Sequence, residues 1–559
     1  MSSLKIVSNI FNLLNLSNKL QVYLVFLLII LIAIFEVISL GLFLPIITNI
    51  LSNDKELFFF NFLKNYELFF LLNIFFIFFL TKSTLNIYLI KKQISIKNSI
   101  TVNFISSYFE NILKKNILFF RKNNINFLIK NIVNEAPELV NNIIYASILL
   151  ITDFFIMFLI VIFILINFTS ITLYIFPFFL CFYLIYLKFF KNSISGIGKK
   201  RFYVLQECIQ YLSNGFGSIV EIKLTQSEEK FSKNFRLDSN KLYQLSGMHA
   251  FFQSIPKYIM EITIILIFLS IFLFFDFFKL SIKELLTFAS VVLVASLRIM
   301  PSLSRIISST QSIQYSYPAY VNLEKQINKD DIDIISDEKI FFQKNIKLKN
   351  LSFKYENSEI ILNNINCEFT KGQIIGIVGK NGSGKSTLLN IIMGLIKVDH
   401  KMVFVDDQKI SLHNTSWYKK ISYCSNQSFL LDSTIENNIA FEMDANNIDR
   451  KKLQYSINFL SYQNFIDEFP NGLKTYIGQN GSKISSGQKQ KICLLRAFYF
   501  DTEIMVFDEA LNSIDKESVI NFLIKLSNLK KDKTIFIVSH DIKNLSLCDQ
   551  IISLDINKK

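Results

Sequence analysis

Residues 373–387 read Gln-Ile-Ile-Gly-Ile-Val-Gly-Lys-Asn-Gly-Ser-Gly-Lys-Ser-Thr and join a short apolar run to a glycine-rich loop. The run 374–378 is typical of a buried strand, and the apolar stretch 388–395 beyond the loop can form a helix. A strand, Gly-x-x-x-x-Gly-Lys-Ser and a helix in this order are the context of a phosphate-binding loop. Five of the 16 glycines lie within residues 372–384, which argues against a chance glycine-rich turn.

The loop predicts how a nucleoside triphosphate and its Mg²⁺ would be held. Backbone N–H groups of a glycine-rich loop can surround phosphate oxygens, and the following helix N-terminus adds positive potential. Lys385 would reach the terminal phosphates, and Ser386 would ligate Mg²⁺. The nucleotide-binding residues predicted in this loop are Gly379, Asn381, Gly382, Gly384, Lys385, Ser386 and Thr387.

The rest of the composition indicates a membrane protein. The 559 residues are 51% hydrophobic, with 58 Phe, and the mean hydropathy is +0.36. Apolar runs of about 18 residues or more are typical of membrane-spanning helices. Six spans are predicted, at about 21–50, 67–90, 143–167, 171–190, 255–278 and 284–307. These spans exclude a soluble nucleic-acid ATPase, although the net charge is +14.

The distribution of Lys and Arg predicts the orientation. The two long loops, 91–138 and 191–247, are rich in basic residues, whereas the segments between the other spans are not. The positive-inside rule then places both termini and both long loops in the cytoplasm. Residues 52–66 mix Phe with charged residues, and either an external interfacial helix or the start of the second span fits them. The six cysteines form no Cys-x-x-Cys pair, so they predict neither a disulfide framework nor a zinc site.

The chain changes character after the last span. Residues 1–308 are predicted to form the transmembrane domain, and the polar stretch 309–345 a linker. From residue 346 to 559, short apolar strands alternate with helices, which predicts an α/β nucleotide-binding domain.

Two further motifs resemble the ATP-binding-cassette family. They are Ile-Ser-Ser-Gly-Gln at 484–488 and Glu-Ile-Met-Val-Phe-Asp-Glu at 503–509, and they follow the phosphate-binding loop in the family's order. Six spans followed by one cassette resemble a half-transporter of the type I exporter class. The resemblance implies ATP hydrolysis coupled to transport, a multi-pass protein of the bacterial inner membrane, and long cytoplasmic helical extensions.

The resemblance assigns roles to single residues. Tyr355 is similar to the aromatic residue that stacks on adenine, although a strand-end aromatic in the core is the alternative. Gln427 is similar to the glutamine that contacts Mg²⁺ and the transmembrane half, with Asn426 where the family often has Pro. Asp508 would hold Mg²⁺, and Glu509 would orient or deprotonate the attacking water. His540 follows an apolar strand, as the histidine that touches the γ-phosphate does.

The 484–488 motif departs from the common Leu-Ser-Gly-Gly-Gln. Ser485, Gly487 and Gln488 are retained, so we expect an active ATPase. Ser486 replaces a glycine, and its side chain is the feature that would slow the enzyme. In this family the signature of one cassette completes the ATP site of another. One cassette per chain therefore implies a dimer, with a homodimer the economical reading and a heterodimer the alternative.

Four cations in or near the spans are candidates for the substrate site: Lys82, Lys257, Arg298 and Arg305. Charges inside a membrane are costly and often functional. Snorkelling, or pairing with Glu36, Asp153 or Glu261, is the structural alternative. Residues 298–305 resemble the sixth span of PglK-type flippases, which implies a lipid-linked oligosaccharide or a related anionic amphiphile as the substrate. Exporters of lipid A, peptides or drugs are the competing class, and a regulator with a degenerate ATPase is disfavoured by Lys385, Asp508 and Glu509.

Overall fold

The computed structural model describes most of the chain. The described residues are 16–51, 68–167, 169–273, 282–327, 338–356, 359–399, 401–426, 429–512, 516–539 and 545–554. The chain divides into two compact units. One is Met1–Lys115 with Phe119–Ile332, and the other is Asn116–Leu118 with Asp333–Lys559. The segment 52–66, for which two structures were predicted, lies outside the described residues.

The described part of the chain before residue 333 is mainly helical. Its α-helices are α1 Leu16–Leu51, α2 Leu68–Leu113, α3 Ile117–Lys122, α4 Ile125–Lys130, α5 Ala136–Leu139, α6 Ala146–Asn167, α7 Thr169–Gly217, α8 Ile219–Leu224, α9 Glu228–Leu273 and α10 Ile282–Ile327. Two π-helical turns, Asn131–Glu135 and Val140–Tyr145, flank α5.

Several helices of this unit are apolar enough to cross a bilayer. Within the described residues, three segments satisfy both length and composition: Tyr23–Phe43, Leu68–Leu113 and Ile125–Ile166. The spans predicted at 171–190, 255–278 and 284–307 fall on α7, α9 and α10, with 274–281 outside the described part. Apolar side chains of α1 and α2 pack together, among them Ile29, Ile32, Leu89 and Ile96.

The last helix of the unit differs from the sequence prediction. A linker was predicted from residue 309, but α10 continues to Ile327. The reason is a buried stripe at intervals of three and four residues, formed by Ser309, Ile313, Ser316, Tyr320 and Leu323. That spacing keeps one helix face against its neighbours even where small polar residues replace apolar ones.

The second unit is an α/β domain with two sheets. Its strands are β1 Asn345–Lys354, β2 Ile360–Thr370, β3 Ile374–Val378, β4 Val403–Val405, β5 Gln408–Lys409, β6 Ile421–Ser425, β7 Ile504–Asp508, β8 Thr534–Val538 and β9 Gln550–Ser553. Its α-helices are α11 Lys385–Ile392, α12 Thr415–Tyr418, α13 Ile435–Ala440, α14 Arg450–Leu460, α15 Gln463–Asp467, α16 Ser486–Tyr499 and α17 Lys516–Ser527.

The strand order places the predicted nucleotide-binding motifs at one end of the parallel sheet. A parallel sheet runs β6-β7-β8-β3-β9, and an antiparallel sheet runs β2-β1-β4-β5. Strands β3, β7 and β8 are almost fully buried, which explains their continuous apolar sequences. Because the strands are parallel, the loops after β3, β6, β7 and β8 leave the sheet at the same end.

Candidate nucleotide-binding site

The phosphate-binding loop lies between β3 and α11, as the motif predicts. Gly384 is the N-cap of α11 and has a φ of +97°. A Cβ at this position would lie 2.8 Å from Ile361 Cγ2 and 2.8 Å from Leu362 Cδ2. The turn therefore requires glycine both for its backbone conformation and for the space beside it. The sharp turn leaves the N-terminus of α11 at the carboxyl end of the parallel sheet, where its backbone N–H groups can bind an anion.

Lys385 is folded back over this loop. Its side chain is buried, and its Nζ donates to the carbonyl oxygens of Gly379 at 2.7 Å and Lys380 at 3.1 Å. These bonds satisfy the ammonium group and stabilise the loop. Asn381, Gly382 and Ser386 are exposed beside it, whereas Thr387 is buried.

Asp508 ends β7 next to this loop. Burial raises the pKa of its carboxyl group, while a hydrogen bond from Ser386 and the charge of Lys385 lower it. The charge of Glu509 acts in the same direction as burial. A hydroxyl and a carboxylate side by side are the hard oxygen ligands that Mg²⁺ prefers. The donor set therefore fits Mg²⁺, and a bound divalent cation would favour the ionised form of Asp508.

Glu509 has an unusual backbone conformation. Its φ is +54°, a region that residues other than Gly, Asn and Asp seldom adopt. Its N–H donates to Val538 O of β8 at 3.1 Å, and Asn512 Nδ2 donates to its Oε2 at 3.5 Å. Strained residues cluster at functional sites. The conformation is consistent with a carboxylate group held at the carboxyl end of β7.

Tyr355 contacts the phosphate-loop helix. Its hydroxyl lies 3.1 Å from the hydroxyl of Thr387, and its ring packs edge-on against Phe353 at 5.0 Å. The tyrosine is half-buried. The contact places Tyr355 beside the nucleotide motif, and its stacking on adenine stays a prediction.

The 484–488 motif forms the start of α16. Ser485 is the N-cap, and it forms a capping box with Gln488: Gln488 N donates to Ser485 Oγ at 3.2 Å, and Ser485 N donates to Gln488 Oε1 at 2.9 Å. Ser486 occupies the first helical position, and residues with a Cβ atom readily adopt the helical backbone conformation found there. The helical backbone therefore accommodates Ser486 in place of glycine, and Gly487 follows it in the first turn.

Two predicted residues, Gln427 and His540, lie outside the described residues. Their neighbours are placed beside the site. Ser425 pairs in register with Asp508, and Asn426 N donates to Asp508 O at 3.1 Å. Ser539, which follows β8, is buried.

Tyr423 belongs to this site but was not found from the sequence. Burial raises the pKa of its hydroxyl to about 12, and the charge of Asp508 acts in the same direction. A hydrogen bond from Tyr423 in turn lowers the pKa of Asp508. The alternation in 421–425 puts Tyr423 and Ser425 on one face of β6, which is the signal that could have indicated it.

Two of the four candidate substrate cations have carboxylate partners in the first compact unit, Met1–Lys115 with Phe119–Ile332, which we call the membrane unit. Lys82 is 1% exposed, and its Nζ lies 2.5 Å from Glu36 Oε2. Arg305 donates from Nε to both carboxylate oxygens of Asp153, at 3.0 and 2.9 Å, and from Nη2 to Oδ1 at 2.6 Å. The pairing alternative therefore holds for both residues. The Arg305 side chain still remains 49% exposed.

The other two cations are less constrained by the structure. Lys257 is exposed on α9, and its Nζ lies 5.8 Å from the centroid of the Tyr258 ring. Arg298 lies on α10, and its side chain is outside the described part of the structure. Among the described side chains, Lys82 and Arg305 therefore have carboxylate partners, whereas Lys257 is exposed.

Comparisons with known proteins agree with this architecture. Residues 362–512 match the family model described as ABC transporter. The "Multidrug resistance-like ATP-binding protein MdlA" of Buchnera aphidicola is 37% identical over 213 residues, which cover 36% of this chain and 35% of that protein. The "Alpha-hemolysin translocation ATP-binding protein HlyB" of Escherichia coli is 31% identical over 216 residues, covering 38% of this chain and 30% of that protein. The chain thus spans only about a third of the length of these curated relatives.

A solved structure extends the likeness along the whole chain. The "Structure of a bacterial Atm1-family ABC exporter with ATP bound" matches with a TM-score of 0.79 at 15% identity, covering 96% of this chain and 93% of that chain. The predicted fold class is therefore confirmed: a helical membrane region is followed by an ATP-binding-cassette domain. The resemblance to PglK-type flippases stays a prediction.

Proposed function

We propose that the chain is one half of an ATP-driven exporter and that two copies bind and hydrolyse ATP between their cassettes. One observation carries the proposal: Lys385, Ser386 and Asp508 meet at the carboxyl edge of a parallel sheet in a chain with the exporter fold. Two copies would complete two ATP sites, because Ser485 and Gln488 cap a helix whose N-terminus can meet the phosphate of the partner's ATP. A related partner subunit would complete the sites equally well.

The residues support hydrolysis by positioning and charge neutralisation, which is most of what phosphoryl transfer requires. Lys385 supplies a cation, and Ser386 and Asp508 supply oxygen ligands for Mg²⁺. Bound Mg²⁺ would neutralise charge on the phosphates. Glu509 would orient the attacking water, with His540 and Gln427 as further contacts to the γ-phosphate and Mg²⁺.

Replacement of Glu509 tests the hydrolytic role. Glu509→Gln should bind Mg·ATP with unchanged affinity yet lose about 99% of turnover, because the phosphate loop persists while the water has lost its carboxylate. Lys385→Ala should instead weaken ATP binding itself. The measurements are ATP binding and phosphate release by the full-length chain in lipid nanodiscs. ATPase of wild-type rate in Glu509→Gln would contradict the role of Glu509.

For the substrate we propose an anionic amphiphile, with a lipid-linked oligosaccharide as the specific candidate. The exposed Lys257 and the half-exposed side chain of Arg305 support it, since both carry a positive charge that can attract a diphosphate head group. The resemblance of residues 298–305 to PglK-type flippases adds Arg298. The membrane would be the bacterial inner membrane, with both termini cytoplasmic. The names of the relatives concern drug resistance and hemolysin translocation, so drugs and polypeptides are the competing substrates.

Charge removal in the membrane unit tests the substrate class. Lys257→Ala and Arg298→Ala should reduce flipping of a labelled lipid diphosphate sugar in proteoliposomes much more than basal ATPase. Arg298→Lys should recover only part of the loss, because an ammonium group cannot bind phosphate in bidentate fashion. Transport of an uncharged drug serves as the comparison. Unchanged flipping in the double alanine variant would favour the drug or peptide class.

A further inference from the structure

Two ion pairs of the membrane unit differ in how open they are. In the pair of Lys82 with Glu36, the two side chains are 2% and 9% exposed. In the pair of Arg305 with Asp153, the Asp153 side chain is 2% exposed, but the Arg305 side chain is 49% exposed. The first pair is therefore closed on both sides, whereas the second joins a buried anion to a cation that remains accessible.

The guanidinium group of Arg305 is partly occupied by Asp153. Its Nε donates to both carboxylate oxygens, at 3.0 and 2.9 Å, and its Nη2 donates to Oδ1 at 2.6 Å. The same Nη2 lies 3.4 Å from Ser302 Oγ, one helical turn earlier on α10. A guanidinium group presents its N–H donors in a planar fork that binds two oxygens of a carboxylate or of a phosphate. Asp153 thus fills an edge that a phosphate group could also bind.

Packing beside the pair holds the two helices in place. Leu303 and Ile307 flank Arg305 on α10, and both are buried in one apolar cluster. Met157, one turn after Asp153 on α6, packs against the same cluster. The backbones that carry the pair are therefore fixed, so an exchange of one anion for another requires movement of side chains only.

The chemistry of the pair is that of an anion site with its own competitor. A carboxylate offers one negative charge and two oxygens, whereas a diphosphate head group offers more of both. Both anions need the same guanidinium edge, so they exclude each other. An internal competitor lowers the apparent affinity of every anionic ligand by the same factor, because it reduces the fraction of protein that is competent to bind. A ligand without charge does not need this edge and is unaffected.

We propose that Asp153 occupies the anion-binding edge of Arg305 and is displaced by phosphate oxygens of an anionic amphiphile. The inference rests on the proposed function, in which Arg305 attracts the head group of the substrate. Asp153 then sets a threshold for binding. A diphosphate displaces it at a low concentration, because it brings more charge and more oxygens than the carboxylate that leaves. Lipid diphosphates are thereby favoured at concentrations at which fatty acids leave the pair intact.

The test measures binding of three probes that share one hydrocarbon chain: farnesyl diphosphate, farnesoic acid and farnesol. Each radiolabelled probe is bound to the full-length chain in lipid nanodiscs, and empty nanodiscs correct for partition into the bilayer. Asp153→Asn keeps the volume of the side chain but removes its charge. It should tighten the binding of both anionic probes by about tenfold, because their competitor is lost. The affinity for farnesol should not change.

Two further variants show whether the effect acts through Arg305. Asp153→Asn combined with Arg305→Gln removes both charges, so the anionic probes should bind more weakly than to the wild type. Asp238→Asn is the matched control, because Asp238 of α9 pairs with a cation of its own helix, Lys241, at 3.0 Å. It should leave all three affinities unchanged. Thermal unfolding confirms that the compared variants are folded, and Asp153→Ser takes the place of Asp153→Asn if that variant is not.

The outcomes are distinct. An equal gain for the two anionic probes, with none for farnesol, supports the inference. Unchanged anion affinities in Asp153→Asn, a gain shared by farnesol, or a gain that persists without Arg305 overturns it. A wild type that binds neither anionic probe overturns the proposed substrate class and the inference together. Wild-type binding of farnesyl diphosphate with unchanged affinities in Asp153→Asn overturns only the inference.

Discussion

The ion pair between Lys82 and Glu36 allows a test of two roles for Lys82, stabilisation of the fold and binding of the substrate. The pair is almost fully buried and joins α1 to α2. Removing one partner of a buried pair leaves an uncompensated charge, which costs about 3–5 kcal/mol. We expect Lys82→Met to lower the unfolding temperature and Lys82→Met with Glu36→Gln to restore much of it. Thermal unfolding of the full-length chain in detergent measures both.

The control for this pair is Lys91→Met, at an exposed position on the same helix, which should leave the unfolding temperature unchanged. Normal stability in Lys82→Met together with a loss of flipping would instead assign Lys82 to the substrate. The ion pair thus offers a clear choice between the two roles that the sequence left open.

Residues fixed by short motifs were predictable, and residues fixed by long-range pairing were not. Lys385 and Ser386 directly follow the glycine-rich loop at the start of α11, and Asp508 ends an apolar run, so their neighbours in sequence identify them. Tyr423 meets Asp508 only because β6 pairs with β7. Arg496 of α16 likewise donates hydrogen bonds to Asn438 O and Phe429 O, which lie far earlier in the chain. A single sequence does not contain the sheet order that creates these contacts.

At the scale of elements, a close approach of helices within the membrane unit depends on Gly198 of α7. A Cβ at Gly198 would lie 2.0 Å from Tyr315 O of α10. Tyr315 has little freedom to move, because its ring stacks on His249 with centroids 3.8 Å apart. We expect Gly198→Ala to lower the free energy of unfolding by about 1–3 kcal/mol, as overpacking does.

The same helix supplies the comparison for this prediction. A Cβ at Gly196 meets nothing within 4 Å, so Gly196→Ala should raise helix stability by up to about 1 kcal/mol. The two variants are compared by thermal unfolding in the same detergent. Equal stabilities would mean that α7 and α10 do not approach each other as closely as the structure shows.

The sequence predicted the presence of these helices and strands more accurately than the residues at which they end. Apolar runs predicted the spans, whose side chains can face lipid as well as one another. They also predicted the central strands of the cassette, which bury side chains on both faces. The extension of α10 to Ile327 was missed, because its buried stripe contains Ser309 and Ser316. When only hydrophobic residues are considered, small polar residues on the buried face interrupt the helical periodicity.

At the scale of the whole molecule, the proposed dimer makes each ATP site depend on both chains. The phosphate-binding loop and Asp508 come from one chain, and the helix capped by Ser485 would come from the other. Lys385→Ala and Ser485→Arg should each abolish activity when present in both chains. A mixed dimer with one mutation in each chain would contain one damaged site and one fully intact site. Such a dimer, isolated through two affinity tags, should recover about half of the wild-type ATPase.

The decisive comparison keeps the same mutations and changes only their arrangement. When Lys385→Ala and Ser485→Arg occupy one chain and the partner is wild type, each composite site contains one lesion. This cis dimer should therefore be inactive, although its composition equals that of the active trans dimer. Equal ATPase in the two arrangements would mean that the sites are not shared between chains, and the dimeric part of the proposal would then be wrong. Both dimers carry the same two substitutions and are compared at equal amounts of isolated, folded dimer, so a difference in ATPase reports how the lesions are distributed over the two sites.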